Sequence, residues 1–266
     1  MRKDICIYVS SPYSYKDIFD VYYQAYQKFA SRSSIPLVLS TNYDAKYEGI
    51  RIISSGDIND SWVSRSMDAL KQIDSKYILL MCDDIFMAGD FPDDEINHIL
   101  KFMDKNNINF CRLSPRKKGV KIKGERYLVQ EYKTVPYAMN LQFGIYNREY
   151  LLGVLGDGML SAWDIEAKWL KESNLAEYVL WENVICVSEP IVKFIHGVDK
   201  GKLYPSAVQE IKRLGFLINS SREVMSWFRE YQQYFRNFVG LVVPSRLRSH
   251  LKVVLTKIGF KFTSEF

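Results

Sequence analysis

Short, continuously apolar runs alternate with amphipathic stretches along the first 113 residues of the chain. Residues 5–9 (Ile-Cys-Ile-Tyr-Val) are too short for a helix and predict a buried strand. Residues 15–30 then place Tyr15, Ile18, Phe19, Tyr22, Tyr26 and Phe29 along one helical stripe. Residues 36–39 and 50–53 predict two more strands. A helix with Val63, Met67, Leu70 and Ile73 on its apolar side follows, and Asp60 is placed to cap it. Residues 77–82 read as a strand. Asp93 is placed to cap a helix carrying Ile96, Ile99, Leu100 and Met103, and residues 109–113 read as a further strand. Strands alternating with helices predict an α/β fold with a mostly parallel sheet flanked by helices.

The pattern changes after residue 113. Residues 114–126 are basic and contain glycine, which predicts a mobile surface loop. Residues 132–146 read as extended structure. Ser161 is placed to cap a helix holding Trp163, Ile165, Glu166, Trp169 and Leu170. Residues 184–187 and 191–195 read as late strands. Pro205 can open a helix that Gly215 stops. The compact domain is expected over 1–215 and a basic, amphipathic helical appendage over 216–266. Within the appendage, Ser221 is expected to open a first helix and Pro244 to separate it from a second.

Charge sharpens that division. The net charge of +5 resides in residues 236–266, which hold six cations against Glu265. Leu247, Leu251, Val254, Leu255 and Ile258 form a helical stripe beside Arg246, Arg248, Lys252 and Lys257. A neutral body with a basic, amphipathic tail points to an anionic membrane surface, or to a homodimer through the C-terminal helices, and away from nucleic acid. The start of the chain has too few apolar residues for a signal peptide, and no stretch is long enough to span a bilayer. The four cysteines are far apart and mostly in apolar runs, the pattern of reduced thiols in the cytoplasm.

The chemistry concentrates where the run 77–82 meets Asp83-Asp84. Paired carboxylates at the end of a buried strand need a cation beside them. A divalent ion carrying phosphate oxygens supplies one, and a solvated turn or a helix cap is the plainer alternative. Three more signals follow in order. They are Asn140 to Tyr146 with two side-chain amides, Ser161 to Glu166 with an aromatic and two acids, and His196-Gly197-Val198-Asp199-Lys200. Each has a plainer reading too: Trp163 as core, Glu166 as a first-turn acid, His196 as a structural histidine, and Lys200 and Lys202 as a solvated turn.

In this order the signals resemble those of the nucleotide-sugar glycosyltransferases of the GT-A fold, which is Rossmann-like, and in particular bacterial enzymes of surface-polysaccharide synthesis. The resemblance covers residues 4–215. It implies Mn²⁺ or Mg²⁺ bound by Asp84 and His196, and a nucleotide-sugar donor held by Asp83, Lys200, Lys202 and Ser10. It implies Glu166 or Asp164 as catalytic base or acceptor anchor. Trp163 and Gln142 are then contacts for a saccharide or lipid-linked saccharide acceptor. Cys82 stands where a strict D-x-D motif has its first acid. Two other readings stay open: a sugar-phosphate nucleotidyltransferase, and a non-catalytic α/β protein that binds a membrane or a partner. Against the first of these, Ser10-Ser11-Pro12 follows the opening strand without a glycine-rich phosphate loop.

Overall fold

The computed structural model describes residues 2–242 apart from 58–59 and 117–118, with side chains described up to residue 235. The second tail helix expected after Pro244, with its basic residues, lies outside the described residues.

Four parallel strands open the chain: β1 (Ile5–Ser10), β2 (Leu37–Thr41), β3 (Arg51–Ser54) and β4 (Tyr77–Met81). They alternate with α1 (Lys16–Phe29) and α2 (Trp62–Leu70). Then come β5 (Ile85–Met87), α3 (Asp93–Lys105), β6 (Phe110–Arg112), β7 (Val120–Lys121), β8 (Leu128–Tyr132) and β9 (Phe143–Asn147). The chain continues through α4 (Arg148–Leu155), α5 (Ala162–Leu175), β10 (Leu180–Val187), β11 (Phe194–His196), β12 (Val198–Asp199), β13 (Lys202–Leu203), α6 (Pro205–Arg213) and α7 (Trp227–Val242). Nine strands form one sheet in the order β3-β2-β1-β4-β9-β6-β10-β8-β7. The α/β class and the helix-flanked, mostly parallel sheet are as expected.

The continuous apolar runs are explained by burial on both faces. Ile5, Ile7 and Val9 of β1, with Tyr77, Leu79 and Met81 of β4, face a core shared with α1, α3 and α6. Cys6 and Tyr8, with Ile78 and Leu80, face the opposite core against α2, α4 and α5. Period-two alternation therefore sends neighbouring residues into different cores.

The sheet is less uniform than the pattern implied. Strand β9 runs antiparallel between β4 and β6. Its register places Phe143 opposite Met81, so the residues before β9 meet those after β4. Two helix starts also differ from expectation. Ser61, not Asp60, caps α2 by accepting the Ser64 amide at 3.0 Å. Asp93 is the first residue of α3 after Pro92, and its carboxylate accepts the Ser33 hydroxyl at 2.6 Å.

The described residues after 215 pack on the body. Phe216 and Met225 are buried, and Val224 bridges to Leu203. The first tail helix begins at Trp227, six residues after Ser221.

Candidate functional site

The C-terminal ends of the parallel strands gather the polar residues. Cys82, Asp83 and Asp84 leave β4 in a turn before β5. Asp83 is buried and accepts the Ser11 hydroxyl at 2.6 Å. Ser11 itself follows β1, so the neighbouring strand supplies the partner. Burial, and secondarily the charge of Asp84, pushes the Asp83 carboxyl up to about 7. Burial also raises Asp84, while the charge of His196 lowers it. Two neighbouring acids thus face an ionisation cost that a cation would remove.

His196 reaches this turn through the sheet register. Strand β11 pairs antiparallel with β5 and sets His196 opposite Ile85. The Gly197 amide donates to the Asp84 carbonyl at 2.7 Å. A Cβ at Gly197 would lie 2.3 Å from the Phe86 ring and 3.2 Å from that carbonyl, so glycine permits the approach. The His-Gly pair and the Asp-Asp pair are therefore joined by backbone packing. Next, β12 and β13 form a hairpin whose turn is Lys200-Gly201, at φ +49° and +78°. Positive φ at both positions is the requirement of a type I′ turn. Lys200 is exposed at the tip. Lys202 is engaged differently, in a 2.5 Å ion pair with Glu223.

Beside Asp83, a second polar group lines the ends of β1 and β2. Arg65 is buried on α2, donates to the Asp60 carbonyl and feels the charge of Asp83. The Tyr8 hydroxyl lies near those of Ser10, Ser40 and Ser66. The side-chain oxygens of Tyr8, Ser10, Thr41 and Ser66 and Nε of Arg65 are buried without a hydrogen-bond partner. Buried polar atoms left open at a sheet edge suit a polar ligand.

The acceptor candidates take other positions. Glu166 is buried on α5 and accepts the Leu141 amide at 2.9 Å. It pins the loop before β9, where Asn140 Oδ1 accepts the amides of Gln142 and Phe143 at 3.0 and 3.2 Å. Burial raises the Glu166 carboxyl. Gln142 is exposed, and its carbonyl accepts from the Cys82 thiol at 3.5 Å. Glu166 and the Asp pair are thus linked through Cys82 and this loop. Asp164 is exposed and closes a capping box with Ser161, which holds its carboxyl below the usual range. Trp163, on the same helix, is 77% exposed, so it is not a core residue.

Two contributors were not singled out from the sequence. Arg222 lies across the start of α1 with its charge felt by Asp83. Tyr15 stands beneath Arg222, and the charges of Asp83 and Asp84 both act on it. In the sequence Tyr15 is only part of a helical stripe, and no local signal marks Arg222.

The donor set could hold a hard divalent ion: a buried and a half-buried carboxylate that are costly to ionise alone, with His196 on the strand paired to β5. Among the described residues no group of three or more His, Cys, Asp or Glu side chains is arranged to hold a metal by itself. An ion here would need further oxygens, and a diphosphate carries them.

No family model matches the chain, and no curated protein matches it. Among solved structures, Staphylococcus aureus TarS 1–349 aligns at 12% identity and TM-score 0.46, over 92% of this chain and 77% of that one. The same TarS piece in complex with UDP-GlcNAc gives the same values. The longer TarS chain is covered over 46% of its length. A CMP:2-keto-3-deoxy-manno-octonic acid synthetase complexed with CTP aligns at 12% identity and TM-score 0.47, over 80% of this chain and 98% of that one. Likeness at this level leaves activity and substrate to the geometry of the site.

Proposed function

We propose that the chain is a metal-dependent glycosyltransferase. It moves a sugar from a nucleotide-sugar donor to a saccharide or lipid-linked saccharide in surface-polysaccharide synthesis, of O-antigen or capsule. The observation that carries this reading is the Asp83–Asp84 pair at the sheet edge. Its acids are raised by burial and bordered by His196 and the Lys200 turn.

The roles follow from position. Asp84 and His196 hold the ion, and Asp83, fixed by Ser11, orients what surrounds it. Mn²⁺ or Mg²⁺ bound there supplies charge stabilisation to the departing diphosphate. Lys200, on its exposed tip, adds a second positive charge to the same leaving group. The open polar atoms around Tyr8, Ser10 and Arg65 take the polar edges of the nucleoside. Glu166, raised by burial, stands on the acceptor side, where a carboxylate near the acceptor hydroxyl takes its proton. Trp163 offers an exposed aromatic face to a sugar ring.

A donor-hydrolysis screen with Mn²⁺ tests the reading. UDP-, GDP- and dTDP-sugars are incubated without acceptor. Slow release of nucleoside diphosphate from one donor is expected. Pyrophosphate chemistry instead would mark a nucleotidyltransferase, and silence across all donors would favour a non-catalytic scaffold.

The proposed place of work is the cytoplasmic face of an anionic membrane. Helix α7 turns polar residues inward: Glu230 is buried and accepts the Ser206 amide at 3.2 Å, and Gln233 donates to Asp199. It leaves Trp227, Phe228, Tyr231 and Tyr234 between 53% and 65% exposed. The basic residues of 236–266 follow directly in sequence. Aromatic side chains flanked by cations suit a lipid interface, with each cation contributing about 1 kcal/mol near anionic lipid. No helix of the described residues is long and apolar enough to cross a membrane. In vesicle flotation, the full chain should bind phosphatidylglycerol-containing vesicles, release with salt and ignore pure phosphatidylcholine. Trp227→Ser with Phe228→Ser should reduce binding. If the chain stays off every vesicle and sediments as a dimer that the double variant dissociates, the face is a subunit interface instead.

A further inference from the structure

We infer that Arg222 is a positioning residue for the donor site, acting through the turn that carries Lys200. The inference rests on the reading of Lys200 as a diphosphate contact.

Arg222 lies beyond the expected end of the domain, yet it makes a dense set of bonds to the body. Its guanidinium sits 4.3 Å from the centre of the Tyr15 ring. Nε and Nη2 donate to the two oxygens of Asp17 at 2.9 and 3.1 Å. Nη2 also donates to the Ser14 carbonyl, and Nη1 reaches the Gly201 carbonyl at 3.5 Å. The side chain is only 15% exposed. The backbone is fixed too: the Arg222 amide donates to Ser220 Oγ at 3.1 Å, and that hydroxyl donates to Asp17.

These bonds add polar ties between two elements whose apolar residues, Ile18 on one side and Val198 and Leu203 on the other, already lie in one core. One is the first turn of α1, which follows Ser10 and Ser11. The other is the β12–β13 hairpin, whose strands are two residues each. So short a hairpin is marginal alone. It is held by the Val224 bridge to Leu203, by Gln233 on Asp199 and by Arg222 on Gly201. Of these, only Arg222 ties the turn itself to the side of the site that holds Asp83. The nitrogens of Arg222 are engaged by protein acceptors, so it needs no contact with the donor to matter. A planar fork that also stacks on a ring is replaced only in part by a lysine, which keeps the charge and loses the fork.

A double-mutant cycle tests this on the full chain. The probe is whichever of UDP, GDP or dTDP binds the wild type best with Mn²⁺, measured by calorimetry beside thermal melting. Arg222→Ala should weaken binding about tenfold, the scale of one lost charge-assisted contact. Lys200→Ala should weaken it at least as much. In the Lys200→Ala background, Arg222→Ala should add less than about twofold, because its effect passes through Lys200. Arg222→Lys should recover part of the affinity, and it carries the cycle if Arg222→Ala does not fold. A tenfold loss that persists without Lys200 would overturn the inference. So would unchanged affinity in Arg222→Ala when Lys200→Ala binds weakly, an outcome that leaves the donor-site reading standing. If no nucleoside diphosphate binds the wild type, or if Lys200→Ala binds as tightly as wild type, the donor-site reading itself fails, and the inference with it.

Discussion

Two pairs of acids, one at the end of β4 and one on α5, each have one buried member, but they do different work. At the end of β4, Asp83 has one hydroxyl partner, and among the described residues no other residue donates a hydrogen bond to the Asp84 carboxylate. On α5, Glu166 accepts a main-chain amide that would otherwise be buried without a partner, and Asp164 caps the helix. The first pair makes ionisation costly and returns little to the fold. The second pair spends its charge on backbone donors. Acids that the fold does not need are the better candidates for binding a ligand, because another pressure must keep them there.

The sharpest way to break this contrast is to remove one acid from each pair. Asp84→Ala should abolish transfer, a loss of at least about 10²-fold in turnover, while the melting temperature holds or rises. Retained turnover with unchanged metal dependence would remove Asp84 from the site.

Glu166→Ala should show the reverse emphasis. It leaves the Leu141 amide buried and unpaired, which costs about 1–3 kcal/mol in chemical denaturation. Glu166→Gln keeps an oxygen for that amide and should stay close to wild type in stability. If Glu166→Gln also transfers normally, Glu166 is a structural acid only, and the contrast between the pairs becomes complete. If turnover falls while donor binding holds, Glu166 has both roles.

The two regions also differ in how well they could be read from the chain. The strand before Asp83 was legible because burial on both faces writes a continuous apolar run, and topology then fixes its end at the sheet edge. The capping role of Ser161 was equally local. Strand β9 was harder to place. Its antiparallel insertion between β4 and β6 depends on pairings far apart in sequence. Glu166 was legible as an acid near a helix start, but its amide partner lies 25 residues away. Arg222 had no local signal, since Asp17 lies 205 residues from it. The exposure of Trp163 ran against the usual packing of large apolar residues.

The most gradual effect, spread over about three pH units, tests the premise of the contrast in the metal-free protein. Asp83 is raised to about 7 when folded, against an ordinary carboxyl near 4 in the unfolded chain. The folded state therefore binds more protons between those values. Its stability should fall as pH rises from about 4 to 7, by up to about 1.4 kcal/mol per pH unit, and then level off. Asp83→Asn removes that slope, and its amide oxygen can still accept the Ser11 hydroxyl. Denaturation with chelator present, from pH 4 to 8, should show the variant gaining on wild type until about pH 7. Parallel curves would mean that Arg65 and Arg222 already neutralise Asp83 in the free protein. Asp83 would then belong with Glu166 among the acids that hold the fold, and Asp84 alone would remain as the carboxylate left for a ligand.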